Sequence, residues 1–145
     1  MNALPESAYR LFDEPKDVTI ITIDPDGTPQ ASLVWAHRDG DEILIGVEAK
    51  HRKTRNLQRD PRITVLIQDD RKSSRGLTQY LLIRGTAKLE GPGIGADYLA
   101  LMNAQTQRYL GLPEFPFSND NVLAGAMIIR ITVDTITGEG PWGKH

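Results

Sequence analysis

The sequence predicts a mainly β fold with flanking helices: a six-stranded antiparallel barrel of Greek-key or meander order, built as one domain over residues 1–145. Three observations carry this. Six segments rich in β-branched residues follow one another, most of them separated by tight-turn signals. Only two stretches with helical spacing interrupt them. Several strands, VTIITI and RITVLIQ above all, are apolar on both faces, so a helix or a second subunit must cover the outside of the barrel.

Val18–Ile23 ends at DPDG, where Pro25 suits the second position of a turn and Gly27 supplies a positive φ. Residues 31–35 (ASLVW) return as the hairpin partner. Residues 38–41 form the next turn, and Ile43, Ile45 and Val47 share one face of a third strand, so these three strands are expected as a consecutive meander. Residues 50–59 are rich in helix formers and stop at Asp60-Pro61, because a residue before proline is pushed out of the helical region. Residues 63–68 resume strand alternation. After the polar turn DDRKSSRG, residues 79–89 form the clearest strand, with Leu81, Ile83, Ala87 and Leu89 on one side. Ile94, Tyr98, Leu101, Met102, Gln105 and Tyr109 recur at helical spacing, which predicts an amphipathic helix over Gly95–Leu110. The loop GLPEFPFSNDN, a last strand over residues 126–136 and the tail GEGPWGKH complete the chain.

With 145 residues, 39% of them hydrophobic, one core suffices without a disulfide or metal. The absence of cysteine removes thiol nucleophiles, Cys zinc sites and iron–sulfur clusters, and suits a reducing compartment. The start, MNALPESAY, lacks a basic n-region, and no apolar run approaches the ~20 residues a bilayer requires. The expected location is therefore cytoplasmic, with no membrane partner. A net charge of −2 gives no overall attraction for nucleic acid.

Residues 91–96 (GPGIGA) superficially match a dinucleotide-binding fingerprint, but the preceding strand is antiparallel in character and no acidic strand end follows, so this reads as a plain strand-to-helix loop. His37, His51 and His145 have no metal-ligand spacing, and no nucleophile–base pattern is visible. Asp24, Asp26, Asp39 and Asp41 lie in turns, where carboxylates bond to backbone. The basic island of Lys50, Arg52, Lys53, Arg55, Arg59 and Arg62 is different, because it begins where a strand becomes a helix. Free amides and a positive dipole there suit one phosphate; the alternative is a solvated basic face.

The stretch TIDPDGTPQASLVWAHRDGDEILIGVEAKHRKTRNLQRDPRITVLIQDD resembles the pyridoxamine 5'-phosphate oxidase-like, FMN-binding split-barrel superfamily, and the likeness runs through most of the chain. The D-G-x-P-x-x-S-x-V-W strand, the R-K-T-R-N-L-x-R-D-P-R segment and Y-L-x-I-x-G-x-A resemble its branch of deazaflavin (coenzyme F-420)-dependent enzymes, while FMN-binding members share the barrel and the basic segment. The resemblance implies a six-stranded split barrel forming a homodimer, with two cofactor clefts at the subunit interface. By motif, Ser32, Leu33, Val34 and Trp35 would line the ring or its linker, and Gly46 and Val47 would bring backbone close to it. Lys50, His51, Arg52 and Lys53 would surround the phosphate; Thr78, Gln79 and Tyr80 would contact the ring end or the ribityl chain. Trp35 and Tyr80 could equally serve barrel packing, and Asn56 reads as helix-stabilising.

The implied activity is an oxidoreductase that transfers a hydride between deazaflavin coenzyme F-420 and a small organic substrate, with no obligatory catalytic side chain. Tyr80, Tyr109 and His37 are candidate proton donors. An FMN-dependent oxidase or reductase, or a non-enzymatic flavin or haem binder, are the alternatives. Two features favour deazaflavin. The island holds more charge than one phosphate can neutralise, as the coenzyme's anionic tail would need, and the chain lacks the longer C-terminal region that holds pyridoxal phosphate in the oxidase proper.

Overall fold

A computed structural model describes residues 2–143, so Lys144 and His145 of the expected tail lie outside the described residues. A helical turn at Glu6–Ala8 and a short helix α1 (Arg10–Asp13) precede the strands β1 (Val18–Ile23), β2 (Pro29–Val34), β3 (His37–Asp39) and β4 (Glu42–Glu48). Helix α2 (Arg52–Arg59), strands β5 (Arg62–Lys72) and β6 (Thr78–Glu90), helices α3 (Gly95–Leu110) and α4 (Asp120–Gly125), and β7 (Ala126–Glu139) follow. The strands form one sheet in the order β2-β1-β5-β6-β7-β4-β3, antiparallel throughout and with β2 and β3 at its free edges.

The expected antiparallel β architecture with outer helices is present, with seven strands instead of six. The additional strand is β3, which pairs His37–Asp39 with residues 42–44 around a turn at Gly40, where φ is +61°. The expected three-strand meander is corrected. β1 and β2 form the DPDG hairpin, but β4 lies beside β7, across the sheet from β2. The chain leaves the sheet after Val34 because α3 satisfies the next peptide groups: Ala36 N–H donates to the Tyr109 hydroxyl at 3.3 Å, and Arg108 donates to the Ala36 carbonyl. α2 begins two residues later than expected, after Lys50 and His51. The expected loop before β7 contains α4, whose first turn is capped by the Asn119 side chain accepting from Val122 N–H at 2.9 Å. The tail also folds back, since Trp142 is buried and its Nε1 donates to the Tyr80 carbonyl at 2.8 Å.

One face of every long strand feeds a single core. Val18 and Ile20, Ile43, Ile45 and Val47, Val65 and Ile67, Leu81 and Ile83, and Ile129 and Ile131 are all buried in it. Leu4, Ala8, Leu11 and Phe12 of the N-terminal segment join the same cluster. Helix α3 packs on the opposite face of β4 and β7, through Leu101 against Leu44 and Ile128 and through Tyr98 and Met102 against Ala126. This explains the two-faced apolarity of β4. The outer side of β1 and β5 has no such cover: Ile21, Ile23 and Leu66 are only partly buried, and Leu33 on the neighbouring edge strand is 69% exposed.

One buried charge ties the N-terminal segment to the sheet. The Asp69 carboxylate accepts from Arg10 at 3.0 Å and from Gln79 Nε2 at 3.0 Å, with Lys16 Nζ at 3.4 Å. The Arg10 hydrogen bonds, reinforced by Gln79, hold its carboxyl well below the usual carboxylate range. A carboxylate depressed in the folded state stabilises above its unfolded pKa of about 3.9 and loses that contribution as pH falls towards its folded value. Asp69→Asn should therefore cost about 3 kcal/mol at neutral pH, the scale for breaking a buried pair. Urea melts at pH 7 and below pH 4 check this, and the variant should lose less stability on acidification than the wild type does.

Candidate functional site

The largest contribution of the basic island is positional. Helix α2 is anchored by Asp24, in the β1–β2 turn, whose buried carboxylate accepts from Arg52 Nε at 2.8 Å and from Asn56 Nδ2 at 3.0 Å. Asn56, itself buried, also donates to Thr22 Oγ1 at 3.1 Å. These bonds, Arg52 first and Asn56 second, keep the Asp24 carboxyl below its ordinary value. At the helix start the Thr54 hydroxyl donates to the Glu48 carbonyl at 2.8 Å, and Glu48 N–H donates to His51 Nδ1 at 3.1 Å. His51 Nε2 lies 3.3 Å from the Glu48 carboxylate. Burial, with help from Lys53, lowers the His51 pKa, which fits an imidazole accepting at Nδ1.

Anchored in this way, α2 delivers Lys53 to a cleft of about 360 Å³, inside the range of small-molecule sites. Leu33, Val34 and Trp35 at the end of β2 and Gly46 of β4 line it with Lys53. Met102 and Gln105 of α3, with Phe115 and Phe117 from the loop that follows, form the other side. Trp35 is held by stacking on Tyr109, with ring centroids 5.0 Å apart and planes 8° from parallel. Tyr98 meets Phe115 edge-on, and Phe115 meets Phe117 in the same way. Gly46 is dictated by proximity, because a Cβ there would sit 2.6 Å from Met102 Sδ and 3.1 Å from the Tyr98 ring.

Asp17, before β1, also lines the cleft, but Lys53 forms no ion pair with it. Lys53 is partly buried, makes no ion pair among the described residues, and burial lowers its pKa. The other expected phosphate ligands are engaged or peripheral: Arg52 is committed to Asp24, and exposed Lys50 lies 3.6 Å from Glu48. The surplus charge expected of the island is thereby reduced.

Five of the thirteen residues expected from sequence line this cleft: Leu33, Val34, Trp35, Gly46 and Lys53. Ser32 neighbours it on β2 with a buried hydroxyl that has no hydrogen-bond partner. Val47 points the other way, into the core. Thr78, Gln79 and Tyr80 are not among the lining residues. Thr78 accepts from Lys72 at 2.9 Å, Gln79 serves Asp69, and Tyr80 is exposed with its carbonyl bonded to Trp142. The candidate proton donors are also engaged. The Tyr109 hydroxyl donates to the Lys16 carbonyl at 2.7 Å, and His37 Nδ1 lies 3.3 Å from Arg108, with burial and that cation lowering its pKa. Sequence reasoning missed the α3 wall, although Gln105 stands out as the one amide in the apolar stripe of that helix.

A sequence model of pyridoxamine 5'-phosphate oxidase matches residues 4–138. The chain belongs to that family, and its fold is the family's split barrel. Among solved structures it is similar to an F420 reductase, at 27% identity over 92% of this chain and 98% of that one, with a TM-score of 0.73. A conserved hypothetical protein, Rv2991 from Mycobacterium tuberculosis, is 23% identical over 94% of this chain and 84% of that one, with a TM-score of 0.71. The fold is also that of HutZ, a heme storage protein from Vibrio cholerae, at 17% identity over 98% of each chain and a TM-score of 0.65. No helix among the described residues is long and apolar enough to cross a membrane.

The Gly46 contact yields a test. Gly46→Ala should displace Met102 and Tyr98, lowering stability by about 1–2 kcal/mol, the scale of modest overpacking, and narrowing the cleft. Chemical denaturation of the variant checks the first effect.

Proposed function

We propose that the protein is an oxidoreductase that binds deazaflavin coenzyme F-420 in this cleft, with the phosphate at the start of α2, and acts on a small organic substrate. The observation that carries the reading is Lys53, a partly buried ammonium with no ion-pair partner among the described residues, in the lining of an aromatic and aliphatic cleft. A desolvated cation of this kind favours an anion over water. The residues fit such a cofactor: a cation for phosphate, Trp35 and Phe117 as flat apolar surface for a ring system, and Gly46 with no side chain to block it. The similarity to an F420 reductase supports deazaflavin over FMN.

When bound, reduced deazaflavin supplies a hydride for transfer to an electron-poor substrate. The chain's own residues bind and orient. Lys53 neutralises the phosphate, Trp35 is kept in one orientation by Tyr109, and Phe115 with Phe117 excludes water from one side. Because Tyr109 and His37 are held in structural hydrogen bonds, no proton transfer is assigned to them.

The reading includes a homodimer. The partly exposed Ile21, Ile23 and Leu66, together with exposed Leu33 and Tyr80, form an uncovered apolar side of the sheet, and a second copy placed there would also bring further side chains near Leu33 at the cleft rim. Sedimentation at micromolar concentration should give about twice the 16.1 kDa of one chain. Leu33→Glu should shift the population to monomer and lower cofactor affinity. A wild-type monomer that binds cofactor normally would refute the dimer.

Calorimetry of the wild type and Lys53→Ala with coenzyme F-420 and with FMN tests the cofactor assignment. The variant should bind about 10- to 100-fold more weakly, equivalent to the loss of a charge-assisted hydrogen bond, with its melting temperature unchanged or raised. Unchanged affinity would remove Lys53 from the phosphate site. Preference for FMN at both low and high salt would move the protein to the FMN-dependent class.

A further inference from the structure

Gln105 lies on the inward side of α3 beside Met102 and lines the cleft, yet the residue is 0% exposed. Neither its Nε2 nor its Oε1 has a hydrogen-bond partner. Leaving both ends of a carboxamide unpaired in the interior is costly, whereas methionine fills the same unbranched shape with no polar group to satisfy. Among the described residues, other buried side chains also carry unpaired atoms, namely Ser32, Arg38, Thr106 and Arg108, but only Gln105 lines the cleft.

We infer that Gln105 reads the polar edge of the bound ring: Nε2–H donates to a ring carbonyl while Oε1 accepts from the adjacent ring N–H. This rests on the flavin-type reading above and extends it to a residue that determines ring specificity. A carboxamide offers a donor and an acceptor side by side, so its complement is a lactam or imide edge with C=O next to N–H. Ligands that carry acceptors alone, such as nitro compounds or quinones, would leave Oε1 unpaired. FMN and deazaflavin coenzyme share the imide edge. Gln105 therefore selects the ring class and does not separate the two cofactors, in contrast to Lys53, which addresses the phosphate.

The geometry also predicts opposite effects on the empty and loaded protein. Gln105→Met removes an unsatisfied amide from the interior, so without ligand the variant should melt about 2–4 °C higher. Its affinity for the cofactor should fall about tenfold or more, because the ring's carbonyl and N–H then go unpaired. Gln105→Leu serves as a second variant with the same expectation. The experiment measures binding of FMN and of coenzyme F-420 to the wild type and both variants, then repeats the titration with the N3-methyl derivative of whichever cofactor the wild type binds. Methylation should weaken binding to the wild type about tenfold and leave binding to Gln105→Met unchanged, a loss of discrimination that a packing role would not produce. Equal cofactor affinity in wild type and variants, or discrimination retained in Gln105→Met, overturns the inference while the flavin reading stands. Binding of neither cofactor by the wild type overturns both.

Discussion

The carboxylate of Asp24 is the point on which the arrangement of the cleft depends. It sits just after β1, buried, and the bonds it accepts come from Arg52 and Asn56, one turn apart on the same face of α2. A buried carboxylate must be neutralised, and Arg52 does this while remaining largely at the surface. Helix α2 is thus fixed in rotation as well as position. With Arg52 turned towards Asp24 and Asn56 turned inward, Lys53, one residue or about 100° further round the helix than Arg52, faces the cleft. Removing Asp24 would leave Arg52 unpaired and α2 held by Asn56 on Thr22, Thr54 on the Glu48 carbonyl and Leu57 in the core.

That division of labour changes the meaning of the basic island. Read as a string, it presents several equivalent cations. In the folded protein Arg52 is a strut, Lys50 leans towards Glu48 and Arg62 closes on Asp60 at 2.7 Å, and of the cations left without an ion pair among the described residues only Lys53 lines the cleft. The acidic partners of Arg52 and Lys50 lie outside the island, in a preceding turn and strand. Charge density along a sequence therefore overstates the field a ligand would meet.

How much was legible follows the range of the interactions involved. The DPDG hairpin, the end of α2 at Asp60-Pro61 and the whole of α3 are set by local rules and were readable. The placement of β4 beside β7 was not, because it depends on α3 capturing the peptide groups at Ala36 from more than seventy residues away in sequence. Trp142 reads as part of a tail and is in fact a core residue, since its partner is the backbone of Tyr80. In the cleft, Leu33, Val34, Trp35, Gly46 and Lys53 were anticipated by motif, whereas Val47, Thr78, Gln79 and Tyr80 lie elsewhere and Asp17, Met102, Gln105, Phe115 and Phe117 were not anticipated. The signal for Gln105 was present as a polar residue in an apolar stripe. Phe115 and Phe117 sit in a loop whose composition says nothing about what it covers.

The N-terminal segment has a consequence for the order in which the molecule can be completed during synthesis. Asn2 N–H donates to the Val133 carbonyl at 2.8 Å, and Leu4 N–H donates to the Asp41 side chain at 3.0 Å. Leu4, Ala8, Leu11 and Phe12 close the core whose other walls include Ile129, Ile131 and Val133. Residues made before β1 thus complete a hydrophobic interior that does not exist until β7 has been made. Until then their apolar side chains have no permanent place, and a nascent chain stalled before β7 exposes both the segment and the opening it will fill. Vectorial synthesis therefore leaves completion of this core until β7 is made, and before then such a chain has most use for a chaperone.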